Sequence, residues 1–375
     1  MSVTVLLLMP TAKKRGGAEE ALDRLLRHSS SAHTEWVVAF FEEGPFCRSL
    51  TQRGVTTRVL DAGRLRQVHK YVRTVRHIAR LAQEVDADLV FSWMPKAHLY
   101  GSWAATLAGL PSAWYQFGVP EFGWMERIIT LQPAQAVVAC SRHTADMQSD
   151  LWPRRPTYTV PPCVDLDRFD PDSLPSPTEA RRELGLPVDG PLVGIVGRLQ
   201  RWKGIHTFVD ALPRILDSHP DAYGVIVGGR HSLEPEYDAH IDRRIADRGL
   251  QDRIFKVGYQ SNVPRWMQAM DIVVHASQAE PFGMVIVEAM ALGKPVVAGA
   301  TGGPQEIITD GENGVFAPFE DPRALAHQVT HLLAHPDEAR RMGRAARERA
   351  QEFSAQDFAD ELTSTLRSLV DALPA

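Results

Sequence analysis

Two carboxylates stand eight residues apart in a stretch that is otherwise apolar or glycine. The stretch AEPFGMVIVEAMALGKPVVA runs from Ala279 to Ala298 and contains Glu280 and Glu288. Glu280 precedes the predicted helix MVIVEAMAL and Glu288 lies within it, so they could contact groups on opposite sides of a ligand held at the helix start. The alternative is that both have buried protein partners or lie on a solvated face, because carboxylates are seldom buried alone.

The start of the same helix predicts an anion site. The helix follows the apolar strand DIVVHAS and the loop QAEPFG, and its first turn contains no polar side chain that could cap it. The backbone amides of residues 283–286 are therefore expected to be open to an acceptor such as a phosphate.

Two cations follow another apolar strand in the segment VGRLQRWKG. Arg198 and Lys203 are five residues apart on a loop that leads into a helix. A guanidinium fork and an ammonium at this spacing can bind one diphosphate. Two solvated surface cations are the alternative, and the position at the carboxyl end of a strand favours the diphosphate.

A glycine pair follows the first strand, which is predicted to end at Met9. Gly16 and Gly17 lie in KKRGGAEEAL, just before a predicted helix. Glycine lets a backbone approach a ligand closely, and the free amides of a helix start favour an anion. An ordinary glycine turn explains the pair equally well. Since no Gly-x-Gly-x-x-Gly follows the strand, a nicotinamide-dependent dehydrogenase is disfavoured.

Apolar runs that alternate with amphipathic segments must position these residues. The pattern occurs twice in the 375 residues, on either side of a stretch rich in Asp, Ser and Pro, and the end of the chain is helical. It predicts an α/β protein with two doubly wound parallel sheets. The expected domains are residues 1–170, a linker at 171–184, residues 185–354, and a C-terminal helix at 355–375 that completes the first domain. Ligands of such sheets bind at strand carboxyl ends, so we expect a cleft between the two domains.

The composition of the chain argues against some classes of protein. The net charge of −5 lacks the basic excess that nucleic-acid binding requires. Cys47, Cys140 and Cys163 are odd in number and lack metal-ligand spacing, which fits a reducing cytoplasm. The apolar opening MSVTVLLLMP is too short to span a membrane and leads into no cleavage site, so it predicts a buried strand.

Together, EPFGMVIVE, GRLQRWKG, RGGAEE and PPCVDLDRFDP resemble the retaining glycosyltransferases of family four, which have the GT-B fold. The resemblance covers essentially the whole chain, in order and spacing. It implies that Glu280 contacts the hydroxyls of a donor sugar, Glu288 binds ribose, and Arg198 and Lys203 hold the diphosphate. The other residues implied to bind the donor are Gly16 and Gly17 at the diphosphate, Phe282, Gly283, Met284 and Val285 through their amides, and Gly258 and Tyr259 at the base.

The resemblance also implies a reaction. A hexose would move from a nucleotide-diphosphate sugar, a UDP-sugar or GDP-mannose, to a hydroxyl of a saccharide, lipid-linked or small-molecule acceptor, with an oxygen of the leaving phosphate as base. Arg198, Lys203 and the helix-start amides would stabilise the leaving group, so no cofactor or metal is required and no residue is assigned to one. The Asp165–Asp167 pair lies before the linker and not at a strand end.

One position departs from the family. Many relatives have a His just after the strand that corresponds to SAWYQF, where this chain has Gln116 followed by Phe117. His98 could take its place, although a packing histidine is an equal interpretation. The departure leaves a non-catalytic sugar-nucleotide-binding protein of the same fold as an alternative. The candidate acceptor residues are His98, Gln116, Phe117 and Glu121, with Trp114, Tyr115, Phe122 and Trp124 as aromatic residues that suit sugar rings or the core.

A basic amphipathic helix is predicted over GRLRQVHKYVRTVRHIARLAQ. It could cover the sheet and expose a solvated basic face, or dock on anionic lipid at the inner membrane surface. Its basic residues are Arg64, Arg66, Lys70, Arg73, Arg76 and Arg80, and its apolar stripe is Leu65, Val68, Val72, Val75 and Ala79.

Overall fold

The computed structural model describes residues 2–13, 16–30, 34–60, 62, 67–120 and 123–372. The chain folds into two compact units. Unit 1 comprises Met1–Cys163 and Ala355–Ala375, and unit 2 comprises Val164–Ser354. The three cysteines are buried and form no disulfide with one another.

Unit 1 contains a parallel sheet of seven strands within its described residues, in the order β3-β2-β1-β4-β5-β6-β7. The central strands are apolar almost throughout because helices cover both of their faces. The short β7 was not predicted, since its residues TYT form no apolar run. The strands are β1 (Val3–Met9), β2 (Thr34–Phe40), β3 (Thr56–Val59), β4 (Leu89–Ser92), β5 (Ser112–Gln116), β6 (Ala136–Ala139) and β7 (Thr157–Thr159).

The last helix of the chain belongs to unit 1, where it packs against the first. Its apolar stripe, which includes Phe358, Leu362 and Leu366, is buried. The helices of unit 1 are α1 (Gly17–His28), α2 (Pro45–Gln52), α3 (Val68–Glu84), α4 (Pro95–Ala108), α5 (Trp124–Leu131), α6 (Arg142–Ser149) and α15 (Ala355–Asp371).

Unit 2 contains a second parallel sheet, of six strands in the order β10-β9-β8-β11-β12-β13. The strands are β8 (Leu192–Val196), β9 (Tyr223–Val227), β10 (Ile254–Gly258), β11 (Ile272–His275), β12 (Val296–Gly299) and β13 (Val315–Ala317). The helices are α7 (Pro177–Leu184), α8 (Ile205–Ser218), α9 (Pro235–Asp247), α10 (Val263–Ala269), α11 (Met284–Ala291), α12 (Pro304–Ile307), α13 (Pro322–Ala334) and α14 (Pro336–Ala350).

In both sheets the strands are parallel, and the order in which the chain adds them reverses at the centre of the sheet. This confirms the predicted pair of doubly wound α/β units. In unit 2 the reversal lies between β8 and β11, which are hydrogen-bonded neighbours. Ligands of doubly wound sheets bind at the strand carboxyl ends beside such a reversal. The loops that follow β8 and β11 contain the candidate cations and Glu280.

The segment 171–184, predicted as a linker, lies within unit 2 and contains α7. Ser176 caps this helix through the Glu179 amide, and the Glu179 side chain accepts from the Ser176 amide. Pro177 occupies the first helical position, which suits its fixed φ. The sequence does not predict α7, because its Ser and Pro residues are also typical of turns, and because a helix of eight residues has too few apolar positions to show a period.

The basic helix α3 begins at Val68, while Arg64, Leu65 and Arg66 lie outside the described residues. Part of its predicted apolar stripe is wrong, because Val68 and Val72 are exposed. The buried face packs against α4 and the unit 1 core, and consists of Thr74, Val75, Ile78, Ala79, Leu81 and Ala82. Lys70, Arg73, Arg76 and Arg80 are exposed.

Among the helices that the structure describes, none combines the length and apolar character needed to span a membrane.

Candidate functional site

The loops after β8 and β11 are held together by a glycine that the fold requires. Gly204 has a φ of +68°, and a Cβ at this position would lie 1.9 Å from the carbonyl oxygen of Ala276. No other residue fits without moving one of the two loops. A hydrogen bond of 2.8 Å from the Gln278 amide to the Trp202 carbonyl adds to the contact. The loop that leads into α8 therefore packs directly against the residues that follow β11.

This contact brings Lys203 to Glu280. The Lys203 Nζ lies 2.5 Å from the Glu280 Oε2, and both side chains are largely buried. His275, the last residue of β11, places its Nε2 3.0 Å from the same oxygen. The Ser277 Oγ lies 3.2 Å from the His275 Nε2. One carboxylate oxygen therefore receives a cation and an imidazole, and no described residue hydrogen-bonds to Oε1.

The charge state of Glu280 follows from these partners. Burial alone would raise the pKa of its carboxyl, but the Lys203 ammonium and the hydrogen bond from His275 together hold the pKa well below its usual range. Glu280 is therefore ionised at neutral pH and acts as a hydrogen-bond acceptor. A carboxyl with this pKa is unsuited to donate a proton to a leaving group.

The backbone around Glu280 is fixed from its other side. The Gly303 amide donates to the Glu280 carbonyl at 2.8 Å, and Glu280 forms an isolated parallel bridge with Gly302. A Cβ on Gly303 would lie 2.3 Å from the Cα of Phe282. The loop that contains Glu280 is thus held between the ends of β11 and β12.

The start of α11 presents open amides, with one correction to the prediction. Gly283 caps the helix with a φ of 117° and without a side-chain cap. The Ile286 amide donates to the Gly283 carbonyl at 2.9 Å, so it is not open as predicted. The amides of Gly283, Met284 and Val285 have no acceptor among the described residues. Three amides, one fewer than predicted, can bind an anion here.

The remaining predicted residues of this stretch have distinct environments. Phe282 is buried and its ring packs edge-on against Phe353, so only its backbone is available to a ligand. Glu288 is half-buried in the second turn of α11. The two glutamates are therefore separated by a helix start, as predicted, and do not lie on one helix.

Arg198 differs from Lys203 in having no anionic partner. Its side chain is exposed, and it forms no ion pair with any described residue. The Leu199 amide donates to the Gly229 carbonyl at 3.0 Å, which fixes the adjacent backbone. The backbone beside Arg198 is thus fixed, while its exposed guanidinium is available to a ligand.

Gly258 and Tyr259 lie at the end of β10, two strands from β8. Gly258 has a φ of +71°, a conformation that favours glycine, and its carbonyl accepts from the Gly228 amide at 2.9 Å. Tyr259 is 71% exposed. An exposed aromatic ring at a strand end can stack on a flat heterocycle.

In unit 1, the predicted glycine loop precedes α1. Gly16 is the N-cap, its backbone is extended, and Gly17 is the first helical residue. The first turn carries Glu19 and Glu20. The Gly16 conformation is open to any residue, so a role for the pair at a diphosphate stays a prediction.

Phe117, where the family resemblance leads one to expect a His, packs in an aromatic cluster. Its ring stacks on Tyr115 at 4.1 Å between centroids and lies 5.3 Å from Trp93. The Gln116 side chain accepts from the Trp114 Nε1 and donates to the Gly118 carbonyl. Both candidate side chains thus have protein partners. Glu121 and Phe122 lie outside the described residues.

His98 is a packing residue, which excludes it as a replacement for the missing imidazole. Its side chain is fully buried and stacks on Trp114 at 4.3 Å. Burial, with a smaller effect of Arg155, lowers the pKa of His98 to about 3. The predicted acceptor aromatics divide in the same way, because Trp114 and Tyr115 are fully buried whereas Trp124 is 70% exposed.

His275 is a residue of the site that the sequence did not predict. It ends the apolar run IVVH, which predicts only a strand. A polar residue at the carboxyl end of a strand beside the sheet reversal was the available signal. Its contact with Glu280 follows from a loop conformation that the sequence does not specify.

Two family models match the chain. Residues 15–168 match the model described as Glycosyltransferase Family 4, and residues 176–349 match the model described as Glycosyl transferases group 1. Together the two models span both units, including the loops that hold Lys203 and Glu280.

Curated relatives match part of the chain. A D-inositol 3-phosphate glycosyltransferase of Corynebacterium urealyticum is 32% identical over 56% of this chain and 50% of its own length. The lipopolysaccharide core biosynthesis mannosyltransferase LpsB of Rhizobium meliloti is 34% identical over 56% of this chain and 58% of its own. The alignments thus span about half the length of these relatives.

Solved structures match nearly the whole chain. HepE of Anabaena, crystallised in complex with UDP and glucose, is 26% identical with a TM-score of 0.86, over 97% of this chain and 99% of HepE.

Proposed function

Because the chain belongs to glycosyltransferase family 4 and has the GT-B fold of that family, we propose that it transfers a hexose from a nucleotide-diphosphate sugar to an acceptor hydroxyl, with retention of the anomeric configuration. The observation that carries the proposal is the cluster of charged side chains and open amides at the sheet reversal of unit 2. There the Lys203–Glu280–His275 contact, the exposed Arg198 and the open amides of α11 lie on adjacent strand ends.

Each residue has a role that its environment supports. Arg198, Lys203 and the amides of α11 are the donors for the diphosphate. The ionised Glu280 offers Oε1 to hydroxyls of the donor sugar, while Lys203 and His275 hold Oε2. Glu288, one turn into α11, is assigned to ribose, and Tyr259 to the base.

The charge arrangement supports departure of the nucleotide diphosphate. Negative charge grows on the leaving phosphate as the glycosidic bond breaks, and fixed cations and amides aimed at it stabilise the transition state. Arg198 and the open amides are free to supply this without a metal ion. An oxygen of the leaving phosphate takes the proton of the attacking hydroxyl, since Glu280 is fixed by two partners and assigned to the sugar.

The relatives suggest which donors and acceptors to test. HepE binds UDP and glucose, which favours a UDP-sugar, and LpsB is a mannosyltransferase, which favours GDP-mannose. A lipid-linked or saccharide acceptor fits the lipopolysaccharide role of LpsB. We propose both donor classes and all three acceptor classes, including a small molecule, as the first panel.

The experiment is a thermal-shift screen against UDP-glucose, GDP-mannose and their free nucleotides, followed by assay of the stabilising donor. We expect one donor class to raise Tm and to be hydrolysed slowly without acceptor. If no nucleotide sugar stabilises the protein, the assignment of the site is wrong.

Glu288→Gln should raise the donor KM more than it lowers kcat, because ribose contacts are similar in the ground and transition states.

A non-catalytic sugar-nucleotide-binding protein is the second candidate, and Phe117 is the observation that favours it. We expect the wild type to turn over, and Phe117→His to change the rate only modestly. An inert wild type that binds donor tightly and gains transfer activity with Phe117→His would identify the binding protein. Since acid-base and hydrogen-bonding groups contribute about 10² to 10⁴ in rate, initial rates separate the outcomes.

A further inference from the structure

Three metal-ligating side chains meet where α13 ends and α14 begins. His331 lies in the last turn of α13, His335 joins the two helices, and Glu338 lies in the first turn of α14. One potential ligand atom from each lies within 4.8 Å of the others. The His331 and Glu338 side chains are 41% and 37% exposed, so an ion can reach them from solvent.

A hydrogen bond sets the tautomer of one of the two imidazoles for a cation. The His335 Nδ1 lies 2.8 Å from the His331 carbonyl oxygen. A carbonyl only accepts, so Nδ1 carries the proton and Nε2 has a lone pair for a metal. Backbone carbonyls fix the tautomer of metal-bound histidines in the same way. The His331 Nε2 lies 3.1 Å from the Glu338 Oε2; a carboxylate accepts, so this nitrogen carries a proton that a bound cation would replace.

We propose that His331, His335 and Glu338 bind a divalent metal cation such as Zn²⁺. Two imidazoles and one carboxylate are a ligand set that zinc accepts, with a fourth position left for water. Two histidines four residues apart at the end of one helix, followed by a glutamate three residues later, supply the set locally. The ion would tie the end of α13 to the start of α14.

This site is separate from the candidate donor site. The donor loops follow the carboxyl ends of β8 and β11, whereas α13 starts after the carboxyl end of β13 and runs away from it for 13 residues. A helix of this length places its end about 18 Å from its start. The proposed cation site therefore lies apart from the donor loops, and the inference does not depend on the proposed function.

Isothermal titration of the metal-free full chain with Zn²⁺ tests the proposal, with Co²⁺ absorption as a second readout. The wild type should bind one equivalent, and its Co²⁺ complex should show visible bands of low-symmetry coordination. His331→Ala and His335→Ala should each weaken the tightest site at least about tenfold, since even outer-shell changes cost tenfold or more. Glu338→Gln should weaken it and alter the Co²⁺ spectrum.

His327→Ala is the matched control, because His327 is an exposed histidine on α13 one turn before His331. It should leave the affinity unchanged. The proposal is overturned if His331→Ala and His335→Ala bind Zn²⁺ as tightly as the wild type, or if His327→Ala weakens binding as much as they do. Circular dichroism of each variant confirms that it is folded.

Discussion

At the scale of single residues, the two cations of the donor site differ before any ligand binds. Lys203 already neutralises Glu280 in a largely buried pair, whereas Arg198 is exposed and has no anionic partner among the described residues. Lys203 thus has a structural task as well as a ligand-binding one. Arg198 has only the second.

This difference predicts distinct phenotypes for two alanine variants. Both Arg198→Ala and Lys203→Ala should weaken binding of a nucleoside diphosphate much more than binding of the nucleoside. Only Lys203→Ala should also destabilise the fold, by about 3 kcal/mol, because it leaves the Glu280 carboxylate buried without its cation. Calorimetric titration gives the affinities, and urea denaturation gives the stabilities.

The double variant Lys203→Ala/Glu280→Ala is the control for the buried charge. It should recover part of the stability that Lys203→Ala loses. Equal loss of diphosphate and nucleoside affinity in Arg198→Ala would contradict its assignment to the phosphates.

His98 carries a prediction about pH. Its pKa is about 3 in the folded state, chiefly because of burial, and near 6.5 in the unfolded chain. Since the folded pKa is lowered, the stability linked to His98 is complete above pH 6.5 and is lost as the pH falls toward 3. His98→Leu removes this dependence and leaves no buried partner unpaired, because neither ring nitrogen has a hydrogen-bond partner among the described residues.

Urea denaturation of the wild type and His98→Leu at pH 7 and pH 5 measures the effect. The wild type should lose about 2 kcal/mol relative to the variant between these pH values. Parallel pH dependence in the two proteins would show that His98 is protonated without cost in the fold.

At the scale of elements, helix starts and strand ends decide where the chemistry lies. α11 begins without a side-chain cap and leaves three amides open, whereas α7 begins with a complete capping box. A capped helix start has satisfied its own amides and has less need of an anion. The contrast separates a helix that can bind a ligand from one that only packs.

The α7 cap predicts a purely structural phenotype. Ser176→Ala removes the side-chain acceptor for the Glu179 amide and should cost about 1 kcal/mol of stability. Donor affinity should be unchanged, since α7 lies outside the donor loops. Thr178→Ala, at an exposed position of the same helix, is the control and should differ little from the wild type.

Thermal melts and calorimetric titration of both variants provide the measurements. A Ser176→Ala protein as stable as the wild type would mean that water satisfies the Glu179 amide equally well.

At the scale of the whole molecule, the two units are built differently along the chain. Unit 2 is one continuous segment, while unit 1 requires the C-terminal helix α15. The fully buried Leu362 lies on the stripe of α15 that faces unit 1, and Phe358 contacts the Tyr115 ring edge-on. The end of the chain therefore stabilises the beginning.

A cavity in α15 should reveal this division. Leu362→Ala should destabilise unit 1 by about 2–5 kcal/mol, the usual cost of a buried leucine-to-alanine change. Hydrogen exchange followed by mass spectrometry should then show faster exchange in α1 and the strands of unit 1, and unchanged exchange in the strands of unit 2. Uniform acceleration across both units would show that they unfold as one.

The sequence was enough to predict the fold class and most of the strands, because buried parallel strands are apolar almost throughout and are separated by helical periods. It also predicted that Arg198, Lys203 and Glu280 follow strand ends, which mark the ligand edge of such sheets, and that Glu288 lies in the next helix. The sequence did not predict α7, because a short capped helix and a linker can contain the same Asp, Ser and Pro residues. It left the role of His98 open, because burial of a single polar residue is not encoded locally.

The contacts between these residues could not be predicted from the sequence. Lys203 and Glu280 are 77 positions apart in sequence, and they meet because the glycine at 204 lets one loop lie against the end of β11. The same packing places His275 beside Glu280, and these partners keep the Glu280 carboxyl ionised. Likewise it gave the Ile286 amide an internal partner and surrounded Phe117 with rings. Contacts of this kind depend on loop conformations and long-range packing, which residue types and local spacing do not specify.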